Sequence, residues 1–600
     1  MDTREFLIPF RELEFQLFEL LESEALNRRP RFAEHNRETF AAALQTANDI
    51  ARDFFAPHNR AADEDEPRFD GQRVHLHPEV KPAFQALAQA GFIAAREDYA
   101  LGGMQLPESI SSACMALFTA ANPSTTGYPF LTGAAVKVLM NFASDALKHS
   151  FVGPMLTGRF AGTMALTEPQ AGSSLADITT RATLHSDGNY RIRGNKIFIS
   201  GGDQTITENI VHLVLAKIDG APPGVKGISL FAVPKFLLDD AGHCVQRNDV
   251  ALAGLFHKLG YRGTTSTALS FGENNACVGY LIGEPHQGLK YMFQMMNEAR
   301  LAVGFGAAVI GYRGYQHSLA YASERPQGRH VSNSNPESPQ INIIEHTDVK
   351  RMLLAQKAYT EGALMLCLYG ARLVDDMHTA EGEAQKEAAL LLDLLTPVLK
   401  AWPSEYGVKA NDLAIQVLGG AGYTREYPVE QCWRDNRLNP IHEGTNGIQA
   451  LDLLGRKLWQ ANGLALRLLH TRMQHDITSC HPDNQDLSTA LQTVLNQLAP
   501  LVTHLAALMQ KRGPDFTLGL ATPLLHLMGH TCVAWQWLRA ANRATLALSG
   551  DLSKDDMAFY RGKIQAARYF YRWELPLLDR DFTLLNRLDD TCHTMQPDWF

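Results

Sequence analysis

Long apolar runs are missing from this 600-residue chain. No stretch approaches the ~18 consecutive apolar residues that a membrane-spanning helix needs, which leaves only contact with a membrane surface open. A basic excess is missing too. The 55 Lys and Arg are outnumbered by 64 Asp and Glu, for a net charge of −9, and no basic stripe interleaved with aromatics appears. Nucleic acid is therefore not expected as a partner. Cysteine is sparse: eight residues, at 114, 244, 277, 367, 432, 480, 532 and 592, with no CxxC pair and no Cys/His ligand spacing. That excludes a disulfide framework, gives no reason to expect a metal, and fits reduced thiols in a cytosolic protein. The opening residues carry Asp2, Glu5, Glu12 and Glu14 and lack the pattern of a signal peptide, so a cytoplasmic location is expected. What is present is a chain 45% hydrophobic and 20% charged, long enough for roughly three or four domains.

Residues 1–161 read as a helical domain. An apolar amphipathic opening runs from Phe6 to Leu21, expected to dock on the body rather than on a partner. Helical patterns follow at Thr39–Phe55, Glu79–Phe92, Ile110–Ala121 and Thr132–Leu147. The acidic run Ala61–Pro67 reads as a solvated loop. Residues 162–285 have strand texture, with Arg181–His185 and Tyr190–Ile199 flanking the hairpin signal Ser186-Asp187-Gly188-Asn189. Residues 286–460 are helical again. Gly304, Gly306 and Gly311 fail the dinucleotide fingerprint, since their spacing is wrong and no strand precedes them, and read instead as sites of close helix approach. Helices are expected at Glu345–Asp376, Glu383–Leu399 and Ser404–Leu418. Residues 461–600 form an additional helical domain whose Trp535, Trp537, Phe559, Tyr569, Tyr571 and Trp573 read as core, with no catalytic constellation. The fold class expected is mainly α with an inserted β domain.

Three phrases carry chemistry. Pro440-Ile441-His442-Glu443-Gly444-Thr445-Asn446 places a carboxylate in a short turn between two helices. Asn446 reads as the helix start, and Ile448, Leu451, Leu454 and Leu458 as the buried face behind it. A carboxylate held there acts as a general base if apolar surroundings raise its pKa. Leu166-Thr167-Glu168-Pro169-Gln170-Ala171-Gly172-Ser173 leaves a strand and enters a turn that offers N–H and hydroxyl groups to a polar ligand. In Lys196-Ile197-Phe198-Ile199-Ser200, Phe198 and Ser200 stand two apart on one strand and so share a face, a platform for a ring system.

With Lys258 to Arg262, Thr264 to Phe271, Asn297 to Arg300, Ser323-Glu324-Arg325, Gly328-Arg329 and Gln416 to Tyr423, these phrases stand in an order that resembles the acyl-CoA dehydrogenase family over about residues 40–460. The length and C-terminal region resemble a subgroup that includes 3-(methylthio)propanoyl-CoA dehydrogenases. The resemblance implies a helical bundle, a β-barrel-like middle domain and a second bundle, with non-covalent FAD between the β domain and the C-terminal helices. It implies that Leu166, Thr167, Phe198, Ser200, Arg325, Gln416, Gly419, Gly420 and Thr445 contact FAD, with Arg325 and the Gln416–Gly420 segment reaching a partner subunit, hence a homodimer or larger homo-oligomer. Ser173, Asn297 and Arg300 match acyl-CoA contacts, and Glu443 matches the base. Phe198 departs from the Trp more common in the family. Relatives that carry the base on the long helix do so at the position of Ala299, which cannot serve. The implied reaction is α,β-dehydrogenation of a medium- to long-chain acyl-CoA in β-oxidation, with electrons passed to an electron-transfer flavoprotein. The alternatives are 3-(methylthio)propanoyl-CoA as substrate, an acyl-CoA oxidase, and a non-catalytic flavin- or acyl-CoA-binding assembly protein.

Overall fold

The computed structural model describes residues 6–333 and 335–600, with residues 294–297 as backbone only. Asp2 and Glu5 lie outside the described residues. Two compact units appear, one formed by Glu34–Ala299 and the other by Phe6–Ala33 with Arg300–Phe600.

The first unit opens with helices α1 (Arg37–Ile50), α2 (Val80–Gln89), α3 (Glu108–Ala121), α4 (Pro123–Phe142) and α5 (Asp145–Leu156). Asn36 starts α1 with a reciprocal cap, its side chain accepting from Thr39 N while Thr39 Oγ1 accepts from Asn36 N. The acidic run is not a loop throughout. Asn59–Glu64 is helical and Asp63 is buried. The expectation failed because Arg262, from a distant turn, supplies a cation near both Asp63 and Glu66.

An eight-stranded sheet follows: β1 (Phe160–Ala165), β2 (Arg181–Leu184), β3 (Tyr190–Ser200), β4 (Asn209–Ile218), β5 (Ile228–Pro234), β6 (Val250–Leu255), β7 (Ser266–Phe271) and β8 (Val278–Ile282). They pair in the order β6-β7-β3-β8-β5-β4-β1, and β2 pairs with both β3 and β4. That double pairing closes β3, β8, β5, β4 and β2 into a ring, the barrel-like element. β4 is buried on both faces except at its last two residues. With the two-residue period of a strand, Val211, Leu213 and Leu215 meet the core shared with α4 and α5, while Val214 and Ala216 fill the ring.

The second unit holds most of the long helix α6 (Gly288–Glu324), then α7 (Thr347–Thr379), α8 (Gly382–Leu418), α9 (Val429–Asn436), α10 (Asn446–Gly455), α11 (Leu464–Thr478), α12 (Gln485–Arg512), α13 (Ala521–Ala547), α14 (Lys554–Tyr569) and α15 (Leu578–Arg587). The unit boundary falls inside α6. α8 is one helix and not the two expected: Pro397 and Pro403 both lie inside it. Pro403 has no N–H for Leu399 O. That carbonyl instead faces α6, where a Cβ on Gly304 would lie 2.0 Å from it, and the Cys367 thiol stands 3.9 Å away. Gly304 is therefore a site of close approach, and Gly311 is a second, where a Cβ would lie 3.1 Å from Gly407 Cα. The N-terminal arm docks on this unit. Leu13, Phe15 and Leu17 are fully buried, and Glu12 meets Lys563 of α14, which also bonds Glu361 of α7 at 2.8 Å. Trp535, Trp537, Tyr569 and Tyr571 are core as expected. Trp573 is 57% exposed and stacks on Tyr569 instead, because the chain leaves the α-helical register at Phe570–Glu574 and turns that ring outward. Among the described residues no helix is long and apolar enough to cross a membrane.

Candidate active site

In the second unit the turn between α9 and α10 is drawn tight by two backbone bonds, Ile441 N to Leu438 O at 2.8 Å and Asn446 N to Pro440 O at 3.0 Å. At its apex Glu443 has φ +53° and Gly444 φ +86°. Left-handed backbone in a residue with a Cβ costs about 1–3 kcal/mol and persists only where the surroundings over-determine it. Here the buried side chain of Gln449 donates to both Glu443 O and Gly444 O at 3.3 Å.

The cap of α10 is Thr445, whose Oγ1 accepts from Ile448 N at 3.3 Å. Asn446, expected to start the helix, is already inside it. Its amide is drawn away by tertiary partners, accepting from Lys400 Nζ at 3.1 Å and donating to Ala401 O at 3.3 Å. The buried face is Gln449, Ala450, Leu453 and Leu454. Leu451 is 41% exposed, and Leu458, though buried, lies beyond the helix, which stops at Gly455. The apolar spacing ran on after the helix had ended.

Two cations act on Glu443. Arg300 on α6 is 3% exposed and ion-paired with Asp452 at 3.4 Å; Lys400 on α8 is fully buried. Burial pushes the Glu443 carboxyl above its ordinary range, and the pull of Arg300 and Lys400 in the other direction does not cancel it. The Glu443 N–H meets no acceptor among the described residues. The turn thus presents a carboxylate poised to take a proton beside an available donor. His442 stays neutral, pushed down to about 3 by burial and then by Lys400. Glu298, the residue before Ala299, is held within the first unit by Arg96 at 3.3 Å and by Lys137. Ala299 is buried. The side chain of Asn297 lies outside the described residues. At the far ends of α6 and α8, Arg325, Gln416, Gly419 and Gly420 are exposed.

In the first unit the Leu166–Ser173 turn is tied to β3. Thr167 O accepts from Ile197 N at 2.9 Å, and Leu166 O accepts from Lys196 Nζ at 2.9 Å. Lys196, fully buried, also bonds Glu168 Oε1 at 2.9 Å. Glu168 accepts further from Thr180 N, Thr180 Oγ1, Thr179 N, Thr179 Oγ1 and Gln170 Nε2, all at 2.6–3.0 Å. Burial alone would raise its pKa, but Lys196 and these donors bring it down to about 2. Burial takes Lys196 down to about 8, against the pull of Glu168. Neither residue was singled out from the sequence. The available signal was a lysine inside an apolar strand, where an unpaired ammonium could not be buried.

The clamp sets the strand that bears Phe198 and Ser200. Both are exposed and flank the buried Ile199, so they do share a face. The pairing of β3 with β7 slips between Thr267 and Leu269, and Phe198 sits in this bulge with φ +57°, its ring 4.5 Å from that of Phe256. Thr167 and Leu166 are half-buried and Ser173 is exposed. The structure therefore brings Thr167 beside the Phe198–Ser200 strand within one unit, and Glu443, Arg300 and Thr445 together within the other.

Residues 37–159, 163–273 and 286–458 match the N-terminal, middle and C-terminal domain models of acyl-CoA dehydrogenases, and residues 469–596 match a model described as acetyl-CoA dehydrogenase C-terminal like. The 3-methylmercaptopropionyl-CoA dehydrogenase of Ruegeria pomeroyi is 36% identical over 94% of this chain and 95% of its own length. A broad-specificity linear acyl-CoA dehydrogenase of Mycobacterium tuberculosis is 33% identical over 97% of each. Among solved structures, Caenorhabditis elegans ACDH-11 in complex with C11-CoA shares the fold at a TM-score of 0.76 and 20% identity, over 95% of this chain and 94% of that one. Four consecutive domain models and relatives similar over nearly their whole length show that this chain belongs to the acyl-CoA dehydrogenase family.

Proposed function

We propose that this protein catalyses the α,β-dehydrogenation of a linear, medium- to long-chain acyl-CoA to the trans-2-enoyl-CoA, as in fatty acid β-oxidation, with Glu443 as the base. The observation that carries the reading is a carboxylate made more basic by burial and fixed at the apex of a left-handed turn. Such a group is stabilised in its protonated form, which is what a base becomes as it takes the α-proton. The Glu443 N–H is the donor for the thioester oxygen as enolate character develops, worth about 3 kcal/mol when preorganised. Arg300 and Ser173 contact the acyl-CoA.

The cofactor is FAD. The exposed Phe198 ring and Ser200 hydroxyl on one strand face, next to Thr167, suit a planar ring with polar edges. FAD, when bound, supplies the acceptor for the β-hydride, and an electron-transfer flavoprotein receives the electrons. Leu166 and Thr445 complete the set. Arg325, Gln416, Gly419 and Gly420 meet FAD of a partner subunit in a homodimer. Their exposure in the single chain supports that role. A second reading, with 3-(methylthio)propanoyl-CoA as substrate, is favoured by the 36% identity to the Ruegeria enzyme.

The test is anaerobic titration of the flavoprotein with a ladder of acyl-CoAs that includes 3-(methylthio)propanoyl-CoA, following flavin absorbance, beside Glu443→Gln. Bleaching in the parent and its loss in the variant is the expected result, and the ladder identifies the substrate. Equal bleaching in both removes Glu443 from the base role. No bleaching with any thioester leaves a binding protein. Peroxide formed stoichiometrically in air marks an oxidase.

A further inference from the structure

The charge that the reaction as described leaves unused is Lys400. It is fully buried on α8, between Pro397 and Pro403. Of its three N–H donors, one meets Asn446 Oδ1 at 3.1 Å. Asn446 is turned toward it because its own Nδ2 donates to Ala401 O at 3.3 Å. Asn446 is the first residue of α10 and stands three after Glu443, so this bond ties α8 to the turn that carries the base.

The charges that face Lys400 come from two other elements. Glu443 attracts it from the turn, and Arg300 repels it from α6. His442, also on the turn, is neutral. Arg300 has its own counter-ion in Asp452, whose other oxygen bonds Arg456 at 2.8 Å. Lys400 has no carboxylate in ion-pair contact among the described residues, and Glu443 is the one acid that acts on it. A buried ammonium without a paired carboxylate is costly, and burial takes Lys400 down to about 7.

We infer that Lys400 is a positioning residue for the base: through Asn446 it fixes the turn that bears Glu443, and its charge keeps Glu443 ionised until the α-proton is taken. The inference rests on Glu443 being the base. Burial raises the carboxyl, and Arg300 and then Lys400 limit how far. With the cation removed, Glu443 holds its proton to higher pH, so the acid limb of kcat/KM moves up.

The experiment uses the FAD-loaded protein, with flavin absorbance and melting temperature as controls for folding. Lys400→Met is expected to move the acid limb up by about one pH unit, which is about a tenfold loss of kcat/KM at the acid end and little change at pH 9. Lys400→Arg keeps the charge and is expected to keep the parental limb. Infrared difference spectroscopy, with the carboxyl band assigned by its loss in Glu443→Gln, reads the same group without turnover. The band should titrate higher in Lys400→Met. In the parent protein, the Glu443 carboxylate band should shift a second time near pH 7, as Lys400 loses its charge. An acid limb and carboxyl band unchanged in Lys400→Met overturn the inference while leaving the base reading intact. If Lys400→Met does not retain FAD, the parent spectrum decides, and a band with no second shift overturns it. Glu443→Gln with parental bleaching is a different failure, that of the base assignment itself.

Discussion

At the scale of single residues, the unusual feature is backbone. Glu443 and Phe198 both carry positive φ, and each is held there by a neighbour: Glu443 by the Gln449 amide, Phe198 by the slipped register of β3 on β7. Strain of this kind aims a side chain that ordinary geometry would direct elsewhere. Thr445 contributes in another way. Loss of its cap in Thr445→Val should cost about 1 kcal/mol of local stability. The expected outcome is amide exchange roughly fivefold faster at Ile448, with the exchange of α8 unchanged, as read by hydrogen–deuterium exchange.

At the scale of elements, the Glu168–Lys196 pair joins a turn to a strand. Glu168 is taken from its ordinary 4.5 down to about 2 in the folded protein. A depressed carboxyl stabilises the fold above its unfolded pKa and loses that contribution as pH falls through the folded value. The turn should therefore loosen between about pH 4.5 and 2, by an amount on the order of 3 kcal/mol in full. Acid titration of flavin fluorescence in the parent, beside Glu168→Gln, checks this, and the variant should release FAD already at neutral pH. Close approach of α6 and α8 supplies a second expectation. Gly304→Ala sets a methyl against Leu399 O, and since backbone cannot yield as a flexible side chain does, a loss of about 1–3 kcal/mol follows, measured as a lower melting temperature.

For the whole molecule, the N-terminal arm is part of the second unit, and its anchor is ionic. Lys563 is fully buried between Glu12 and Glu361, and Lys357 holds Glu361 from the other side at 2.5 Å. Lys563→Met leaves Glu12 without its cation and crowds the negative charge. A destabilisation of about 3–5 kcal/mol is expected, with the arm cleaved first in limited proteolysis. Native mass spectrometry of the FAD-loaded protein should show a homodimer, and Arg325→Ala should weaken both dimer and FAD retention.

The sequence by itself determined the layout of helices, strands and helices again, because period-two and helical apolar patterns are local and long. It also carried the family resemblance, through ordered phrases, and marked Glu443 as the carboxylate in a turn. Tertiary structure decided everything that depended on partners far along the chain. Asn446 looked like a cap and became a link to Lys400, because its amide found Ala401 O and an ammonium from α8. A break was expected between Leu399 and Ser404, yet α8 runs through Pro403, and α6 packs against the carbonyl that proline leaves free. Lys400 passed as an ordinary lysine, and the apolar strand around Lys196 hinted at its burial without naming Glu168, since a counter-charge cannot be read from neighbours in sequence. The pKa of Glu443 depends on just those terms, and so it belongs to the fold.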